Sequence, residues 1–250
     1  MMARVERLLA AVLCCGVLLA GCEPKPEPPA AQLPDWRGLW IAEGQMAEIS
    51  GFPLPADMAK IYRLAGFGAP WNEAGKAKFM ANISSQGSRK SGGWGYPMMM
   101  NSSAPMQFVI TPEETLIINM YREVRHIYTD GRDHPKVEDR WPTTWGDSVG
   151  HWEGDTLVID TVAVADPLKY FFFAPPLSEQ AHYVERLRKA APDRIEMQIT
   201  IEDPQMLTGP WTEKFVYLQQ PGLDRMIHDD YSNDRSELKD GAFTIEPSNP

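Results

Sequence analysis

The feature that most constrains the fold lies late in the chain. Ile195, Met197, Ile199 and Ile201 alternate with Glu196, Gln198, Thr200 and Glu202. A period of two belongs to a strand with one buried and one wet face, and no helix satisfies it. Segments of similar character cover residues 107–111, 115–121, 122–129, 148–152, 156–162, 182–189, 212–219 and 225–231. Turn chemistry separates many of them: Pro112-Glu113-Glu114, Asp130-Gly131, Glu153-Gly154-Asp155, Pro192-Asp193 and Pro221-Gly222. Glycine supplies positive φ in such turns, and aspartate bonds its own backbone. Eight or nine antiparallel strands in meander order must hide their edges, and closing into a barrel does so. The expected fold is mainly β: an antiparallel barrel over residues 35–231, with a two-sheet β-sandwich as the alternative.

Asp35-Trp36-Arg37-Gly38-Leu39-Trp40 leads into the first strand. This Gly-x-Trp resembles the opening of lipocalin barrels, where the tryptophan plugs one end, so the resemblance implies a lipocalin-like barrel. A helical insert is expected at about 54–85. Its first part, 54–65, carries Met58, Ile61, Tyr62 and Leu64. Its second runs from an Asn72 cap to Ile83, with Phe79, Met80 and Ile83 on one side. Met98, Met99 and Met100 fill core or form an adaptable ligand surface. Tyr170-Phe171-Phe172-Phe173 is an aromatic loop, buried or exposed for contact. From Ser232 the tail is polar and expected to be loose.

The first residues carry a different signal. Arg4 and Arg7 precede an apolar run over 8–20, shorter than the roughly 20 residues a membrane span needs. It ends in Leu18-Leu19-Ala20-Gly21-Cys22, which resembles the lipobox of bacterial lipoproteins. The resemblance implies cleavage after residue 21 and a diacylglyceryl group on Cys22. Residues 22–34 follow as a proline-rich tether that favours extended polyproline II. Glu23 stands where an aspartate would favour the inner membrane in such lipoproteins, so the implied location is the outer membrane, facing the periplasm or the surface.

The three cysteines are Cys14, Cys15 and Cys22. Two leave with the leader and the third is acylated, so the mature domain offers no disulfide, thiol nucleophile or cysteine–metal site. The leader also removes Arg4, Arg7 and Glu6, so the formal charge of −10 loses two bases and one acid and becomes −11. That balance argues against nucleic acid and against a basic membrane-binding face. The chain has no P-loop and no Gly-x-Gly-x-x-Gly between a strand and a helix; no cofactor is expected.

Polar chemistry concentrates between Thr129 and Thr161. The stretch holds Asp130-Gly131-Arg132-Asp133-His134-Pro135, then Trp141 and Trp145, then Gly146-Asp147-Ser148-Val149-Gly150-His151-Trp152-Glu153-Gly154-Asp155, and Asp160-Thr161. It resembles a widespread family of exported bacterial proteins sharing a YTDGR-x-HP…GxSxGxWEGDTLVxDT pattern. Ser178-Glu179, His182-Tyr183-Val184-Glu185-Arg186, Ile201-Glu202-Asp203-Pro204 and Pro210-Trp211-Thr212 also fit. The resemblance implies export and a β-rich fold, and it carries no particular reaction.

The loop 130–147, roughly eighteen residues long, is either functional or disordered by length, and its tryptophans favour order. Its residues and flanks admit several readings. Asp130, Arg132, His134, Asp147, Ser148 and His151 are candidate catalytic residues for cofactor-free acid/base chemistry of a lyase or isomerase, with Arg132 stabilising an enolate or oxyanion. Ser148 is alternatively a hydrolase nucleophile, although the strand–turn–helix of a nucleophile elbow is missing. His126, His134, His151, His182 and His228 lack the spacing of a metal motif, and no metal site is expected. The structural alternative has Arg132 pairing with Asp130 or Asp147 to pin the loop.

Strand parity puts Val124, His126, Tyr128 and Asp130 on one face of the strand, and Glu123, Arg125, Ile127 and Thr129 on the other. With the first set inward, His126 and Tyr128, joined by Trp141 and Trp145, would contact a small apolar or aromatic ligand in a mostly apolar pocket. The second set would bury an arginine and a glutamate, and is the less comfortable choice. A non-catalytic partner-binding role for the tryptophan-rich loop stays open beside the ligand-binding one.

Overall fold

The computed structural model describes residues 33–43, 63–84, 94–102, 104–170, 174–226, 236–239 and 242–245. The leader, Cys22, most of the tether, the segment 54–62 and Phe171 to Phe173 lie outside them. Residues 33–250 form a compact unit of their own.

Nine strands close into a barrel in chain order. They are β1 (Trp40–Ala42), β2 (Met106–Ile110), β3 (Glu114–Asn119), β4 (Val124–Tyr128), β5 (Asp147–Glu153), β6 (Thr156–Val162), β7 (His182–Ala191), β8 (Arg194–Glu202) and β9 (Trp211–Gln219). The sandwich alternative is excluded, because β9 returns to pair with β1 at Trp40↔Gln219, Ile41↔Leu218 and Ala42↔Tyr217. No strand is seen over 225–226, the described part of the expected segment 225–231; β1 already closes the sheet.

The expected all-antiparallel meander needs one correction. β4 and β5 are parallel, meeting at Tyr128↔Val149, while the other neighbours are antiparallel. An odd number of strands alternating up and down would close with a parallel seam between first and last. Here the parallel seam lies between β4 and β5 instead. A two-residue hairpin cannot join parallel strands, and a crossover of a dozen or more residues is needed. Asp130-Gly131 is therefore no hairpin turn: Gly131, at φ 83, opens the long crossover 129–146. The loop's length is a requirement of the topology.

Among the described residues between β1 and β2 stands one α-helix, α1 (Glu73–Ser84). Asn72 caps it, its Oδ1 accepting from Gly75 N at 2.9 Å. Phe79 is buried and stacks on Trp71, with ring centroids 5.7 Å apart. Met80, expected beside it, is exposed. Only Arg63–Ala65, a short 3-10 turn, is described of the earlier expected helix. Of the tail, the described residues pair as a hairpin, β10 (Ser236–Lys239) antiparallel with β11 (Ala242–Ile245).

Inward residues line the barrel and form its core. β8 contributes Ile195, Met197, Ile199 and Ile201, all buried, as the alternation requires. Trp36 and Trp40 are buried at one end, and the Trp40 indole donates to the Trp36 carbonyl at 3.0 Å. Tyr96 and Met98 to Met100 are fully enclosed in the same core. Tyr217 Oη donates to the Met100 carbonyl at 2.7 Å, and Glu123 accepts from the backbone N–H groups of Trp94 and Gly95. The methionines are core, held by polar contacts at their backbone.

The parity expected for β4 is reversed. Glu123, Arg125 and Ile127 are buried, whereas His126 is exposed and Val124 and Tyr128 are half-buried on the outer face. Burying Arg125 is tolerable because its partner is Glu185 on β7 rather than its neighbour Glu123.

Candidate functional site

Strand alternation divides the polar residues of the central motif between two networks, back to back across one wall of the barrel. β5 and β6 pair Ser148 with Thr161, and β6 and β7 pair Asp160 with Val184 and Thr161 with Tyr183. Ser148, Thr161 and Glu185 face inward and are buried. Asp147, Asp160 and His182 occupy the opposite face and are half-buried.

Arg125 organises the inner network. Its Nη1 donates to Glu185 Oε1 at 3.1 Å and its Nη2 to Oε2 at 2.5 Å, a bidentate pair with both side chains wholly buried. Nη2 also donates to Thr161 Oγ1 at 2.8 Å, and Ser148 Oγ lies 3.2 Å from Nη2 and 2.9 Å from Thr161 Oγ1. The Tyr96 ring lies 4.1 Å from the guanidinium carbon. Fork-to-fork geometry with hydroxyl contacts satisfies much of the donor capacity of a desolvated arginine. Burial pushes Tyr96, Tyr183 and Tyr217 above the usual phenol range, and the Glu185 charge adds to the rise for Tyr96 and Tyr217.

Not every inward polar atom has a partner. The hydroxyls of Thr115 and Tyr183 and the indole N–H of Trp152 are buried without one among the described residues. Such groups cost about 1–3 kcal/mol each when left unmet, and in native proteins they mark a water, an ion or a ligand group.

The outer network is a relay of alternating carboxylates and imidazoles. His134, returning on the crossover, contacts Asp147 Oδ1 through Nδ1 at 2.5 Å and Asp160 Oδ1 through Nε2 at 2.9 Å. His182 Nε2 meets both oxygens of Asp160 at 2.9 Å. The His134 ring is able to donate in both directions only when it carries both protons. The relay fastens the crossover onto β5, β6 and β7. Farther along, Thr143 donates its N–H to the Ala163 carbonyl at 3.0 Å and accepts from Ala165 N at 2.8 Å.

The remaining candidates fall elsewhere. Arg132 makes a bidentate pair with Asp130 two residues back, and its guanidinium carbon lies 4.0 Å from the centre of the Tyr128 ring. That contact holds the Asp130 carboxyl below its ordinary range and pins the start of the crossover. His151 is exposed and touches Glu153 at 3.2 Å. His126 pairs with Glu114 at 2.9 Å on the outer face, so it does not line the interior; nor does Tyr128. Trp141 is 84% exposed, whereas Trp145 packs against the core.

Ser148 has Arg125 and Thr161 as partners and no histidine among its contacts, so the arrangement holds no base to activate it. The glycines that gave the string its hydrolase look have packing reasons. A Cβ on Gly146, at φ 70, would fall 2.6 Å from the Val162 carbonyl oxygen, and one on Gly150 would meet Ile127 at 2.9 Å. Both let β5 approach its neighbours closely.

Acid/base chemistry on a molecule inside the barrel does not fit either. His134 is on the far side of the wall, and the buried carboxylates among the described residues are committed: Glu185 to Arg125, Glu123 to the backbone of Trp94 and Gly95, and Asp203 to Ser178. Among the described residues no group of three or more His, Cys, Asp or Glu side chains is arranged to hold a metal ion.

The residues missed from sequence are Arg125, Glu185, Thr161, Asp160 and His182. One signal was present: Glu185 shares parity with Tyr183 and Leu187, and an acid on an apolar face needs a buried base. No family model matches the chain, and no curated protein sequence matches it.

Proposed function

We propose that the protein is a lipid-anchored envelope protein, held at the outer membrane through Cys22, whose lipocalin-like barrel binds a small apolar or aromatic molecule. The observation that carries this reading is the composition of the interior. A fully buried Arg125–Glu185 pair, with the Tyr96 ring against its guanidinium, shares the interior with the buried aromatics Trp36, Phe108, Tyr183 and Tyr217, and the hydroxyls of Thr115 and Tyr183 are buried there without partners among the described residues. Buried ion pairs are weak sources of stability, since well-packed apolar residues of similar volume often do as well or better. An apolar enclosure with a few fixed polar groups is what orients a small ligand.

The test is native mass spectrometry on the chain from Leu33 onward, which contains all of the described core. An extra mass that leaves on denaturation, or one acquired from a panel of fatty acids, sterols and aromatic acids, is expected. It should be lost in the double variant Arg125→Met/Glu185→Leu while that variant keeps its fold. A bare protein that takes up nothing from the panel rejects the reading.

A further inference from the structure

On the outer wall, at the end of the barrel that Asp35 packs against, the strands leave a groove of about 450 Å³. It is lined by Arg186, Arg188, Arg194, Glu196, Gln198 and Lys214, among others. Register explains the clustering. Arg186 pairs with Gln198 and Gln198 with Lys214, so in one outward row two long cations flank a central amide. In the next row Arg188 pairs with Glu196. The acid excess of the whole chain does not extend here: four bases line the groove against one acid, with Glu153 and Asp155 at its margin.

The cations are not equally committed. Arg186 is held by Glu153 at 2.6 Å, and Arg194 by Glu196 at 3.1 Å. Arg188 stands 4.0 Å from Asp155 and 3.7 Å from Glu196, beyond hydrogen-bond reach. Lys214 Nζ makes no ion pair among the described residues. Lys214 beside Gln198, and Arg188 in the next row within ion-pair range of Asp155 and Glu196 but hydrogen-bonded to neither, thus keep donors available, the donor set a phosphate oxyanion takes.

The position of the groove bears on the source of such a phosphate. Lys189 follows Arg188 on β7, and its ammonium donates to the carbonyl of Asp35 at 2.8 Å. The chain therefore enters the barrel at the same end as the groove. The twelve residues 23–34 reach at most about 43 Å even when fully extended, so a lipid on Cys22 would keep this end near a membrane and make even a weak contact effectively intramolecular. Screening over about 8 Å at physiological ionic strength lets the local charge outweigh the distant acid excess.

We infer that this groove docks the barrel onto the membrane by binding the phosphate of an anionic phospholipid headgroup. The inference rests on the proposed anchoring at Cys22 for its biological setting, but its test does not. The chain from Leu33 onward, without tether or lipid, is sedimented with vesicles of phosphatidylglycerol or of phosphatidylcholine. Expected are binding to the first, little to the second, and release by high salt. The variant Arg188→Glu/Lys214→Glu should bind roughly 30-fold less, while Lys136→Glu, on the exposed crossover, should bind as the parent does. Equal binding by parent and double variant, or no binding to phosphatidylglycerol, overturns the proposal. Inorganic phosphate that occupies the groove, followed by amide chemical shifts, with no vesicle binding, would make it a site for free anions and likewise reject docking. Failure of the anchoring reading shows separately, as a full chain that carries no lipid on Cys22.

Discussion

The two networks that share the β5–β6–β7 wall are made of similar residues and do different work. Inside, Arg125 and Glu185 are fully desolvated, and Ser148 and Thr161 help to satisfy the guanidinium. Outside, Asp147 and Asp160, one residue from Ser148 and Thr161, and His182, three residues from Glu185, sit half-exposed and hold a loop through His134. A charge inside has no water to fall back on, so its partner is obligatory. A charge outside exchanges one good solvation shell for another, and its pairing fixes position more than it stabilises the barrel.

The largest effect expected from this contrast is at Arg125. Arg125→Met leaves Glu185 buried and uncompensated, and should cost about 3–5 kcal/mol in chemical denaturation. Adding Glu185→Leu should recover most of that loss, a strong coupling for one pair. A single variant within about 1 kcal/mol of the parent would mean that water reaches the pair and that the interior is not the enclosure described.

The next expected effect is alkaline. Burial raises the hydroxyls of Tyr96, Tyr183 and Tyr217 above their unfolded range, so the fold holds them neutral. Their contribution is complete below the unfolded tyrosine pKa, about 10, and is lost as pH climbs past it, because only the unfolded chain then releases the protons. Of the eight tyrosines, these three should gain tyrosinate absorbance only together with loss of the circular-dichroism signal. All eight titrating in the ordinary range with the fold intact would contradict their burial.

Strand existence was the legible part of this chain. The bounds of β6 and β8 follow directly from alternation, because each strand is apolar on its inward face without interruption except at Thr161. β4 was illegible in orientation: Val124 and Tyr128 on one side balance Ile127 on the other, and the residue that decides, Glu185, is 60 positions from Arg125. The parallel seam was hidden because Asp130-Gly131 has the same local chemistry whether it closes a hairpin or opens a crossover. In the outer relay, His134 and Asp147 were candidates through their motif. Asp160 and His182 join them only through the register of β5, β6 and β7, which no local pattern encodes.

The smallest effect expected is on the outer relay, and it is local. His134→Ala removes contacts to Asp147 and Asp160 from a half-buried site, and should cost about 1–2 kcal/mol, well short of the loss at Arg125. Its signature should be spatial: amides of the crossover 129–146 lose hydrogen-exchange protection, while those of β7 and β8 keep theirs, because local opening draws on different contacts from global unfolding. Asp160→Asn, which weakens the hold on both histidines, should loosen the same loop. Uniform loss of protection around the barrel would make the relay part of the core's cooperative unit and erase the distinction between the two faces. Unchanged protection in the crossover would leave the Thr143 backbone bonds to Ala163 and Ala165 as its sufficient fastening.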